Sequence, residues 1–196
     1  GTTGELMTLF ALKQNYQGSE VTLGGDVTGG ASKIQGIVIS DKTGYNIEPG
    51  TFVLQQTFTS SNSAGDITRG VVIKMNSGTA DYNFGDSLEI TTIAPNKVPL
   101  VRFVNQGILG VNMEQYESTL ISMHADVVDY AVGTTFSGLR KLKDNTGPDV
   151  YVNTLPTASF AGTQVPVNAQ FNGIATYVNE SGKDTSGAKK TIMLRT

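Results

Sequence analysis

Any catalytic chemistry in this chain would have to be built around its single histidine, His124. The serine best placed to serve it is Ser87, in the run Phe84, Gly85, Asp86, Ser87 and Leu88. A serine hydroxyl becomes a useful nucleophile only when a base takes its proton and a third group orients that base. The residue three before His124 is Ile121, and the nearest acids, Asp126 and Asp129, follow it. With no cysteine in the chain, one imidazole and two acids also fall short of a zinc set. His124 therefore reads as a polar strand or contact residue.

The block FGDSL resembles the nucleophile block of the GDSL hydrolases. That resemblance implies a base supplied by a DxxH pair near the C-terminus and a parallel sheet covered by helices. The chain departs from the pattern on both counts: His124 lacks the aspartate, and helix-forming sequence is scarce. The simpler reading is a turn, NFGD, feeding a strand, SLEI. The acidic turns at 41–46 and 144–149 offer oxygens to calcium but match no known loop spacing, and Asp, Asn, Thr and Gly are ordinary turn residues. The glycine pairs at 24–25 and 29–30 lack the lysine and helix of a phosphate loop. Asn179, Glu180 and Ser181 form a glycosylation sequon of a kind that chance supplies in such a chain. Scattered aromatics and no tryptophan leave no stacking platform for bases or sugars. No catalytic, cofactor-binding or metal-binding residue is assigned.

Composition points to a fold class. Of 196 residues, 23 are glycine, 38% are hydrophobic and 16% are charged. This favours many short strands joined by tight turns over a helical bundle. A net charge of −3 argues against a nucleic-acid-binding surface, which needs clustered Lys and Arg. The one basic cluster, Arg140, Lys141 and Lys143, reads as a solvated turn. The absence of cysteine favours assembly inside a cell, without excluding export. No apolar run reaches the roughly 20 residues of a membrane helix, and the first residues lack the features of a signal peptide. The sequence begins with Gly1, and Glu5 stands where a myristoylation signal requires Ser or Thr.

The expected fold is all-β and mainly antiparallel, a sandwich or barrel of short strands with at most one or two short helices. Residues 1–16 form an N-terminal arm or short helix, with Thr2 and Glu5 at capping-box spacing. Residues 17–196 form one β-rich domain. Strands are expected at 21–23, 34–40, 51–59, 71–76, 88–91 and 100–105. Along 51–59, Phe52, Leu54 and Phe58 alternate with Val53, Gln55, Thr57 and Thr59, as in a half-buried strand. Met113, Tyr116, Leu120 and Met123 recur at helical spacing, with Asn112 as a cap, but β-rich surroundings favour two short strands there. Val127, Val128, Tyr130 and Val132 read as strand, and Gly133 and Gly138 as turn. Further strands are expected at 149–153, 165–168, 173–178 and 191–195, the last an attachment point along an open edge.

Units such as 65–73 (GDITRGVVI), 82–90 (YNFGDSLEI) and 130–136 (YAVGTTF) resemble those of β-barrel decoration and cement proteins of bacteriophage capsids. The resemblance implies a non-enzymatic structural protein of the virion, made in the host cytoplasm and bound to the lattice of a major capsid protein. It would clamp neighbouring coat subunits, as a homo-oligomer and often a trimer, without binding nucleic acid, membrane or cofactor. The alternative is an exported, extracellular pilin-like fibre subunit or adhesin, assembled by strand exchange. Assembly state separates both from a free-standing monomer.

Overall fold

The computed structural model describes residues 6–14, 21–22, 33–59, 65–75, 82–91, 100–102, 116–143, 150–178 and 189–194. The first half contributes α1 (Leu9–Lys13), β1 (Val21–Thr22), β2 (Lys33–Val38), β3 (Thr51–Thr59), β4 (Asp66–Lys74), β5 (Ser87–Thr91) and β6 (Leu100–Arg102). These strands form an antiparallel sheet in the order β1-β6-β4-β3-β2-β5. The second half contributes β7 (Leu120–Val127), β8 (Gly138–Lys143), β9 (Val150–Thr154), β10 (Asn168–Val178) and β11 (Lys189–Leu194). They close into a five-stranded barrel, β10-β11-β9-β8-β7, in which only the β9–β11 pair is parallel. The expected all-β, mainly antiparallel class is the one observed.

Alternation builds the sheet's core. The β3–β4 hairpin runs in register from Thr51 opposite Lys74 to Thr59 opposite Asp66. It therefore places Phe52, Leu54, Val71 and Ile73 on one face, where Ile34, Val38, Leu9 and Leu12 complete a buried cluster. Full burial of such a side chain contributes roughly 2 kcal/mol. Tyr82 meets Phe52 edge-on at 4.9 Å.

The short helix supplies its share of that core because Leu9 and Leu12 lie on one face. Thr8 caps it, accepting from the Ala11 amide, and the Gln56 side chain accepts from the Leu9 amide. The expected Thr2–Glu5 capping box lies outside the described residues. Observed at 9–13 is the helix alternative, packed on its own chain's core.

Several expectations need correction. Strand β3 is not half-buried throughout: residues 51–54 are buried on both faces. The barrel covers the second face, where Val53, Ile39 and Ile174 form a joint core with Ile47, Val72 and Met193 alongside. Strand β7 ends at Val127, and 128–134 turns instead of continuing, leaving Val132 91% exposed. The strand expected at 173–178 is the second half of the long β10, whereas of the strand expected at 165–168 only Asn168 belongs to it, and Val165 lies outside β10, buried, with its amide on the Thr134 carbonyl. Arg140, Lys141 and Lys143 sit on β8, not in a turn, because Leu139 and Leu142 are part of the same pleat. The terminal strand β11 offers no open edge among the described residues: β10 and β9 flank it. At 113–123, Leu120 begins a strand, as favoured, while Tyr116, Glu117, Ser118 and Thr119 form a turn. Asn112 and Met113 lie outside the described residues.

Candidate functional site

Ser87 and His124 occupy different sheets. Ser87 opens the edge strand β5, opposite Ile37, and His124 lies on β7 opposite Gln170. The FGDSL block is a turn at Phe84 and Gly85 that feeds β5. Gly85 has φ of 91°, the Asn83 amide donates to the Asp86 carboxylate at 2.8 Å, and the Asp86 amide donates back to the Asn83 carbonyl at 3.0 Å. Val38 then donates to the Asp86 carbonyl and accepts from the Gly85 amide, docking the turn beside β2.

The barrel wall around His124 is a polar ladder. Ile121, Met123, Ala125 and Val127 of β7 pack in the barrel core, so Ser122, His124 and Asp126 share the outer face. Asn172, Gln170 and Asn168 of β10 stand directly opposite them. Gln170 donates to the Ser122 hydroxyl at 2.6 Å, and Asn168 donates to the Asp126 carboxylate at 2.5 Å. Serine, histidine and aspartate thus share one face, but the serine and the acid are bonded to cross-strand amides. The signal that could have revealed this face was the alternation of Asn168, Gln170 and Asn172 with Ala169 and Phe171.

The first acidic turn is structural. Asp41 Oδ1 accepts from the amide and hydroxyl of Thr43, capping a 3-10 turn at Lys42–Gly44. Asn46 is buried at the seam between sheet and barrel. Its Nδ2 donates to the Leu194 carbonyl at 2.8 Å and the Asn153 carbonyl at 3.4 Å, and its Oδ1 accepts from the Leu155 amide at 2.7 Å. Residues 144–149, the second turn, lie outside the described residues. Among the described residues, no three His, Asp or Glu side chains group as a metal site. No helix there is long and apolar enough to cross a membrane.

Sequence reasoning missed a buried polar cluster among the described residues. Lys13, at the end of α1, reaches Glu117 in the turn before β7, with Nζ 2.5 Å from Oε2 and 2.9 Å from the Glu117 carbonyl oxygen. Both side chains are almost wholly inaccessible. Ser118 donates its hydroxyl to the other carboxylate oxygen, Oε1. Ser118 itself has φ of 61°, unusual for a residue with a β-carbon, and donates its amide to Ala175 at 2.7 Å. Nearby, burial lowers the pKa of Arg69, a shift opposed by Tyr116, and the Arg69 guanidinium lies 5.2 Å from the Phe10 ring centre. Nothing in the spacing of 13 and 117 signals this partnership.

At one end of the barrel, two loops of mixed polar and apolar residues meet, and the second also bonds to the sheet through Ser159 to the Gly44 carbonyl and Thr157 to the Tyr45 carbonyl. The loops 128–137 and 155–167 pair there: Phe136 donates to Thr163, Ser137 to Ala161 and Val165 to Thr134. Phe136 and Phe160 meet edge-to-face beneath them. Val128, Val132 and Val167 project outward, half or more exposed. Comparison of the chain with models of protein families, with curated proteins and with solved structures found no match.

Proposed function

We propose that this chain is a non-enzymatic structural subunit of a virion, decorating or cementing the capsid by clamping neighbouring coat subunits. The supporting observation is a set of exposed valines on the loops at one end of the barrel. Val128, Val132 and Val167 are exposed there on two loops that bond to each other. Exposed apolar groups on loops braced by backbone hydrogen bonds suit a contact surface, because burying them on a partner costs little ordering entropy. On this reading the partners are further copies of the chain, arranged as a homo-oligomer such as a trimer, and the lattice of a major capsid protein. Binding would stabilise the shell by mass action.

The alternative, an extracellular fibre subunit built by strand exchange, draws less support. Strand β11 is paired on both sides within its own barrel, where a donated strand would need a partner subunit's groove. The test is to image and weigh the native material. The proposal expects the chain on a shell, with Val132 and Val167 at a subunit contact. Purified chain that stays monomeric and joins no shell would overturn it.

A further inference from the structure

We propose that Lys13 and Glu117 are the two halves of an intramolecular amide crosslink, formed after folding, that ties α1 to the turn before β7. The two side chains come from positions 104 residues apart and meet with accessibilities of 2% and 0%. A contact of 2.5 Å to Oε2, plus one carboxylate bond, places Nζ within about 3.7 Å of Cδ, at the edge of attacking range. Ser118 donates its hydroxyl to Oε1, where negative charge would gather in a tetrahedral intermediate.

The reaction balances within the pair. One ammonium proton passes to Oε2, and the freed Nζ lone pair attacks Cδ while the carbonyl electrons move onto Oε1. A second proton follows from Nζ to Oε2, the Cδ–Oε2 bond breaks with its electron pair, and water leaves. The electrons on Oε1 return to rebuild the carbonyl. Ammonium and carboxylate have become an amide plus water, with no oxidant, reductant or other reactant. In dilute solution hydrolysis would win. Fixed contact changes this, because well-oriented groups reach effective molarities of about 10^5–10^8 M, and burial limits the return of bulk water. An N-terminal helix fastened in this way would resist being peeled from its core under load.

Intact-mass measurement of the purified full chain tests this. The folded protein is expected to be lighter than its sequence mass by one water. Proteolysis should yield a branched peptide joining the segments around Lys13 and Glu117, which assigns the bond. Lys13→Arg should restore the full mass, and Ser118→Ala should show folded, unlinked chain converting slowly. Because a variant could misfold, the native chain decides. Folded wild type at full sequence mass, yielding two separate peptides, overturns the crosslink and leaves an ion pair.

Discussion

Gly70 of β4 lies against the Ser118 carbonyl so closely that a β-carbon at Gly70 would stand 1.8 Å from that oxygen and 2.6 Å from its carbon. The obstacle is backbone, and it cannot rotate aside. Ser118 is held by the hydrogen bond its amide donates to the Ala175 carbonyl and by the one its hydroxyl donates to the Glu117 carboxylate. Gly70→Ala must therefore push apart the sheet and the turn leading into the barrel. Overpacking against fixed backbone is expected to cost about 3 kcal/mol or more, read from the midpoint of urea unfolding. Gly162→Ala is the comparison: nothing lies within 4 Å of a β-carbon there, so a change within about 0.5 kcal/mol is expected.

Asn46 makes the second joint. Its amide satisfies two carbonyls and one backbone N–H of the barrel from a loop of the sheet. Asn46→Ala leaves one buried and two partly buried backbone groups without that partner, and a loss of about 1–3 kcal/mol is expected. Asn46→Asp should be no better, since a carboxylate has no N–H for the Leu194 and Asn153 carbonyls. Ile174→Ala, which empties the apolar side of the same joint, should cost about 2–5 kcal/mol. Thermal unfolding followed separately by tyrosines of the sheet and barrel would then show whether the two units still melt together.

How much of this was legible follows from range. The alternation at 51–59 and 71–76 placed β3 and the second half of β4 with their core faces, because period-2 patterning is a local property, while residues 66–70 of β4 were not read as strand. The burial of Val53 on the opposite face was not legible, because it depends on Ile174, far along the chain. The run from Val127 to Val132 misled for a related reason. β-branched residues favour a strand, but Gly133 turns with φ of 89° and the loop pairs with 161–165 instead. The cluster of Lys13 and Glu117 had no local sign at all. His124 was legible as a polar strand residue, and its neighbours on β10 became visible only with the β7–β10 register.

That register bears on the hydrolase question. Ser122, His124 and Asp126 face outward, with hydrogen bonds running to Gln170 and Asn168, and Ser87 lies in the other sheet. His124→Asn should leave the unfolding midpoint within about 0.5 kcal/mol of wild type, as for an exposed strand site. Ser87→Ala should likewise leave hydrolysis of simple ester substrates at the background level of the wild-type chain. An esterase rate that falls with Ser87→Ala would reopen the enzymatic reading.

Val132 and Val167 separate folding from assembly. They are 91% and 58% exposed, so a charge at either position loses little burial within the chain itself. Val132→Asp and Val167→Asp are therefore expected to change folding stability by no more than about 0.5 kcal/mol each. If the barrel end is the contact surface, the same changes place a carboxylate where a partner would bury a valine. An uncompensated charge there costs several kcal/mol, enough to weaken association at least a hundredfold. Co-sedimentation with native particles measures that loss, with circular dichroism confirming the fold. Variants that stay folded yet no longer sediment place the contact at this end. Variants that sediment as wild type would move it elsewhere, with the exposed Ile37 and Phe84 beside β5 the next surface to alter.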